Sequence, residues 1–123
     1  MTEAGPPGRV TRGGFDVSDQ VQILRPQGRL DSASSPGLER EAFEVIEAGG
    51  RRLLIDFDNL DYISSAGLRA ALAVAKRMSA AGGRLALCSL SPQVAEVFEI
   101  SGVNAIIDIH ASAESAEQRL MAG

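Results

Sequence analysis

Apolar and polar positions along this chain fall into blocks, and the blocks change period. Val21-Gln22-Ile23-Leu24 is a short apolar run that reads as a strand. Leu53-Leu54-Ile55-Asp56-Phe57 and Leu85-Ala86-Leu87-Cys88 are nearly continuous apolar runs, the pattern of strands covered on both faces. Ile106-Ile107-Asp108-Ile109 reads as a last strand. Between these runs the period lengthens to that of a helix. Leu38, Ala42, Val45 and Ile46 share one helical face. So do Leu68, Ala71, Leu72, Ala75 and Met78, and again Val94, Val97 and Phe98. Ala113, Ala116 and Leu120 outline a C-terminal helix. The helix starts carry matching chemistry. In Ser32-Ala33-Ser34-Ser35-Pro36 a serine cap precedes a proline at the first helical position, with Glu39 and Glu41 early enough to favour the positive end of the dipole. Ser91-Pro92 repeats the signal, and Ser64-Ser65 opens the second helix. Gly49-Gly50 and Gly82-Gly83 close the first two helices. Strands alternating with helices need crossover connections, which predicts an α/β fold with a largely parallel sheet.

The 123 residues suit one domain. Gly5, Pro6, Pro7, Gly8, Gly13 and Gly14 punctuate the first 14 residues, which bury too little apolar surface to offset their ordering entropy. Residues 1–14 are therefore expected to be a flexible tail, and 15–123 the domain. With 45% hydrophobic and 23% charged residues, that domain falls in the globular range rather than the disordered one. No apolar stretch reaches 18 residues and no charged-then-apolar N-terminus is present. The expectation is a cytoplasmic protein with neither a membrane span nor a signal peptide.

Charge and side-chain inventory narrow the function classes. Twelve basic against sixteen acidic residues give a net charge of −4, and the aromatics are four Phe and one Tyr. A nucleic-acid binder calls for a basic stripe with interleaved aromatics, so no nucleic-acid partner is expected. Arg51-Arg52 is read as solvated residues at the start of a strand. A single cysteine makes no internal disulfide and no multi-cysteine zinc site, and Cys88 is expected in the core. The single histidine, His110, is expected on an exposed loop. No glycine-rich phosphate loop, no Gly-x-Ser-x-Gly and no nucleophile–base pair is present, so no catalytic residue, cofactor or metal is assigned. Asp56, Asp58 and Asp61 cluster where a strand ends, a place suited to a ligand or a hard cation in an open α/β sheet, and equally to a solvated turn.

The richest segment runs from Ile55 to Arg69: a buried strand, an acidic turn, a short apolar stop and a helix entered through two serines. With Ser64 as cap, its hydroxyl accepts a backbone N–H one turn in, and Ser65 is left free to point outward. Gly67 allows close approach of a backbone or a bulky partner. The same features describe an ordinary capped helix, and the residues alone leave both readings open.

The stretch Asp56-Phe57-Asp58-Asn59-Leu60-Asp61-Tyr62-Ile63-Ser64-Ser65-Ala66-Gly67-Leu68 resembles the signature of STAS domains, the family of bacterial anti-sigma factor antagonists. The likeness extends upstream to Gly28-Arg29-Leu30-Asp31. Downstream it takes in Gly83-Arg84-Leu85-Ala86-Leu87, Ser91-Pro92-Gln93-Val94 and Phe98, so that it spans about Phe15 to Leu120. The resemblance implies a single STAS-like domain with a mixed, mostly parallel sheet of about four to five strands and about four helices. It implies a switchable binding protein rather than an enzyme. The implied partner is an anti-sigma factor that is also a serine kinase of ATPase fold, and binding it releases a sigma factor. Phosphorylation of a serine ends the interaction and a metal-dependent serine phosphatase resets it. Ser65 matches the family phosphosite, with Ser64, standing where the family often has Asp, as the alternative. The implied partner-contacting residues are Asp31, Ser32, Asp58, Asp61, Ser64, Ser65, Ala66, Gly67 and Arg69, with Asp56 structural. The family also offers two other roles: a small subunit of a lipid-trafficking ABC system, and a scaffold component of a stress-signalling complex.

Overall fold

The structure is a computed structural model and describes residues 16–122. In chain order the elements are β1 (Val21–Leu24), β2 (Gly28–Leu30), α1 (Ser35–Glu47), β3 (Arg52–Asp56), β4 (Leu60–Ile63), α2 (Ser65–Ala80), β5 (Arg84–Cys88), α3 (Pro92–Ser101), β6 (Asp108–His110) and α4 (Ala113–Met121). Four strands form one sheet in the order β1-β3-β5-β6, while β2 and β4 form a separate two-stranded sheet. Every pairing among the described residues is parallel. The α/β class, the four helices and the mostly parallel sheet agree with the sequence reading. The tail expected over 1–14 lies outside the described residues. No helix among the described residues is long and apolar enough to cross a membrane.

The continuous apolar runs have a direct cause in the layering. Leu53 and Ile55 of β3 and Leu85 and Leu87 of β5 join α1, α2 and α3 in the larger core through Leu38, Ala42, Ile46, Ala71, Val74, Met78, Val94 and Phe98. The alternate residues Leu54, Ala86 and Cys88 face the other side, where α4 covers them with Ala116 and Leu120. Because successive strand residues point to opposite faces, a strand between two covered faces is apolar at every position.

Several local expectations are corrected. The apolar pattern predicts no strand at Gly28–Leu30 and only an acidic turn and a short apolar stop at Leu60–Ile63, yet both are strands, β2 and β4. Their register breaks after Gly28: Gly28 faces Leu60, whereas Arg29 faces Tyr62. The extra residue, Asp61, spaces the buried Leu60 and Ile63 three apart and hides the two-residue period of a strand. The last strand starts at Asp108 instead of Ile106, because a 3-10 turn over Val103–Ala105 takes up chain, leaving Ile107 buried and Ile106 69% exposed. In α1 the cap is Ser34, without a side-chain capping bond, and Pro36 sits one position later than predicted. On α2 the buried stripe is Gly67, Ala70, Ala71, Val74 and Met78, with Leu68, Leu72 and Ala75 half-buried on its flank. The arginine pair is not simply solvated. Arg51 donates to the carbonyls of Ile46 (3.0 Å) and Gly50 (2.7 Å), serving the open C-terminal end of α1, and Arg52 donates to the carbonyl of Asp19 at 2.7 Å.

Candidate functional site

The N-terminus of α2 is fixed to the end of β2. Ser64 has an extended backbone and its Oγ accepts from Gly67 N at 3.4 Å, while its own N–H donates to the Leu30 carbonyl at 2.9 Å. The Ser64 hydroxyl also lies 3.3 Å from that carbonyl, positioned to donate to it. Ser64 is thus the cap that the sequence predicts, and its hydroxyl is engaged on both sides. Ser65 is the first residue of α2 and is exposed; among the described residues its hydroxyl has no hydrogen-bond partner. Ala66 is half-buried and Arg69, one turn further on, is exposed.

Gly67, expected on the contact surface, faces inward. A Cβ there would stand 2.6 Å from Ile63 Cγ1 and 2.7 Å from the Leu30 carbonyl oxygen. The close approach that a glycine allows is made by the chain's own β2, and it draws the loop after β2 against the start of α2.

That loop carries Asp31 and Ser32. Ser32 is exposed, and Asp31 Oδ1 accepts from the backbone N–H groups of Ala33 (3.0 Å) and Ser34 (3.2 Å). Ser34 Oγ in turn donates to the Arg29 carbonyl at 2.7 Å and accepts from Asp31 N at 3.0 Å. The backbone bonds from Ser34 and Ala33 hold the Asp31 carboxyl below the ordinary carboxylate range, with a smaller contribution from the Arg29 guanidinium 3.6 Å away. Beside this loop the Arg29 guanidinium lies 4.2 Å from the centroid of the Tyr62 ring, and Tyr62 is 42% exposed. Arg29 and Tyr62 stand beside the Asp31 loop but are not among the residues predicted for a contact face. They face each other only because β2 pairs with β4, the pairing that the apolar pattern concealed.

The acidic residues do not form one cluster. Asp56 is buried, accepts from Asp58 N at 3.0 Å and lies 3.4 Å from Arg25 Nε, so it braces the end of β3. Asp58 and Asp61 are both exposed. Asp58 precedes β4 and Ser65 follows it, so the four residues of β4, about 13 Å of extended chain, lie between them. Asp31, Ser32, Ser64, Ser65, Ala66 and Arg69 therefore belong to the end of α2 that β2 abuts, whereas Asp61 lies within β4 and Asp58 before it. Among the described residues no group of three or more His, Cys, Asp or Glu is placed to hold a metal ion.

The two singular residues lie elsewhere. Cys88 is fully buried, and that burial pushes its thiol up from its ordinary value, with the Asp56 carboxylate adding to the effect. His110 is corrected from an exposed loop to the end of β6. Only 18% of its side chain is exposed, with Nδ1 3.0 Å from Ser115 Oγ and Nε2 3.2 Å from Asp108 Oδ2.

Comparison with known proteins bears on this geometry. The family model described as STAS domain matches residues 15–116. A Bordetella bronchiseptica protein named as an anti-sigma factor antagonist, BtrV, is 46% identical over 102 residues, 83% of this chain and 88% of the relative. The anti-sigma-B factor antagonist of Bacillus subtilis is 33% identical over 99 residues, 80% of this chain and 87% of the relative. Among solved structures, the anti-sigma factor antagonist SpoIIAA in its unphosphorylated form shares the fold with a TM-score of 0.74 at 24% identity, over 89% of this chain and 95% of that one. The phosphorylated form of SpoIIAA, from Bacillus, matches with a TM-score of 0.65 at 23% identity, over 85% and 95% of the two chains.

Proposed function

The chain belongs to the STAS domain family, among the anti-sigma factor antagonists, and from that premise we propose that it is a partner-switching protein gated by phosphorylation of Ser65. Its unmodified form binds an anti-sigma factor that is also a serine kinase of ATPase fold, and so frees a sigma factor in the cytoplasm. The kinase transfers the γ-phosphoryl group of ATP to Ser65 Oγ. The bond from phosphorus to ADP breaks as the new O–P bond forms, and the hydroxyl proton passes to a base on the kinase. A metal-dependent phosphatase restores the hydroxyl by hydrolysis. The contact face comprises Asp31, Ser32, Asp61, Ser64, Ser65, Ala66 and Arg69, with Asp58 at its edge and Gly67 shaping it from beneath.

The observation that carries this reading is the contrast between two adjacent hydroxyls. Ser64 is committed to capping α2 and to the Leu30 carbonyl, whereas Ser65 is exposed and without a partner among the described residues. A nucleophile must reach the kinase, and only the second is free to do so. The first helical turn also tolerates an anion, so the fold survives the modification and its penalty falls on docking.

The direct test is incubation of the chain with the cognate kinase and ATP, followed by mass mapping. Phosphate is expected on Ser65, and Ser65→Ala is expected to take up none while still binding the kinase. Phosphate mapped to Ser64, or undiminished incorporation into Ser65→Ala, would contradict the assignment.

A further inference from the structure

We infer that Arg69 is the residue that receives a phosphate carried by Ser65, so that modification adds an anion to the docking face and at the same time withdraws a cation from it. The inference rests on the reading of Ser65 as the modified residue. Ser65 and Arg69 are both exposed and stand four residues apart on α2. Residues at that spacing are neighbours on a helix surface, and an acidic group N-terminal to a basic one is the favourable order. Arg69 is also available. Among the described residues no carboxylate lies within ion-pair distance of it. The other nearby cations are engaged: Arg29 lies over the Tyr62 ring and beside Asp31, and Arg25 beside Asp56.

A serine hydroxyl gives Arg69 no charge to pair with. A phosphate gives it a doubly charged group whose oxygens fit the fork of a guanidinium. In the unmodified state the guanidinium is free to meet an acidic group on a partner. In the modified state it turns back along its own helix, and the partner loses that contact while meeting the phosphate. One covalent event then acts on two charges of the same face.

The test needs no kinase. The chain is made with phosphoserine inserted at position 65 during translation, and the second ionisation of the phosphate is followed by phosphorus NMR. Pairing with Arg69 favours the dianion, so Arg69→Gln is expected to raise this pKa by about 0.3 unit or more, with Arg69→Lys recovering part of the shift. Arg29→Gln is expected to leave it within error of the parent. The difference between parent and Arg69→Gln is expected to shrink in 1 M salt, where the screening length is about 3 Å. An unchanged pKa in Arg69→Gln, or an equal shift in Arg29→Gln, overturns the inference. Failure of the Ser65 assignment would show separately, as kinase labelling of another residue, because this titration reports Arg69 whichever serine the kinase selects.

Discussion

Ser64 and Gly67 show how far single atoms decide this surface. The Ser64 hydroxyl caps α2 through a long bond of 3.4 Å and also faces the Leu30 carbonyl. Ser64→Ala is expected to lower stability by about 0.5–2 kcal/mol, read from urea denaturation, with the overall fold retained. At Gly67 the crowding is with backbone as well as a side chain, since a Cβ would press on the Leu30 carbonyl and on Ile63. Gly67→Ala is expected to cost about 1–3 kcal/mol and to disturb the spacing between β2 and α2, visible as amide shift changes at Leu30 and Asp31. Asp31 adds a pH dependence of definite sign. Its carboxyl sits below the ordinary value of 3.8 in the folded chain, so it contributes stability above that value and loses the contribution as pH falls through the lowered one. Asp31→Asn is therefore expected to have a lower urea midpoint than the parent at pH 7, with the gap closing in acid below 3.8.

At the scale of elements, legibility followed burial and length. Both central strands are readable because covering on two faces leaves a continuous apolar run, and α2 and α3 because a serine cap and an apolar stripe coincide. β2 and β4 are not. They are three and four residues long, and the extra residue at Asp61 breaks their alternation. The same gap hid Arg29 and Tyr62, whose contact exists only across that pairing. The start of β6 was misplaced because Ile106 and Ile107 look alike in sequence, while only Ile107 finds the core. Inside the readable part, Cys88 on β5 provides a check. Its thiol is enclosed between the sheet and α4, and burial raises its pKa above the ordinary 9.0. A disulfide thiol reagent at pH 8 is expected to leave it unmodified in the folded chain and to react fully in 6 M guanidinium; rapid reaction of the native chain would contradict the packing. A raised thiol pKa also means that stability from this group is present below 9.0 and is lost as pH rises through the folded value, so Cys88→Ala is expected to flatten the alkaline limb of the stability profile.

Across the whole molecule, the layering explains why the candidate switch sits where it does. α1, α2 and α3 pack on one face of the sheet and α4 on the other, and the small β2/β4 sheet delivers the start of α2 to the surface beside the Asp31 loop. Family membership was legible from the segment between Asp56 and Leu68, but the spread of its acidic residues was not, because their closeness in sequence conceals the length of β4 between Asp58 and Ser65. The proposed docking face includes Asp31 and Asp61, and a phosphate adds about −1.5 to −2 charges at neutral pH. Burying that charge against a partner without a matching cation costs several kcal/mol, and each 1.4 kcal/mol is a factor of about ten in affinity. Ser65→Asp, with a smaller charge at a helix start that accommodates acids, is expected to fold with unchanged helicity and to bind the partner more weakly than the parent. The most direct measurement is a calorimetric titration of the cognate anti-sigma factor with the chain in two forms, unmodified and phosphorylated at Ser65. The predicted result is a dissociation constant raised about a hundredfold or more by the phosphate. Equal affinities for the two forms would contradict the account.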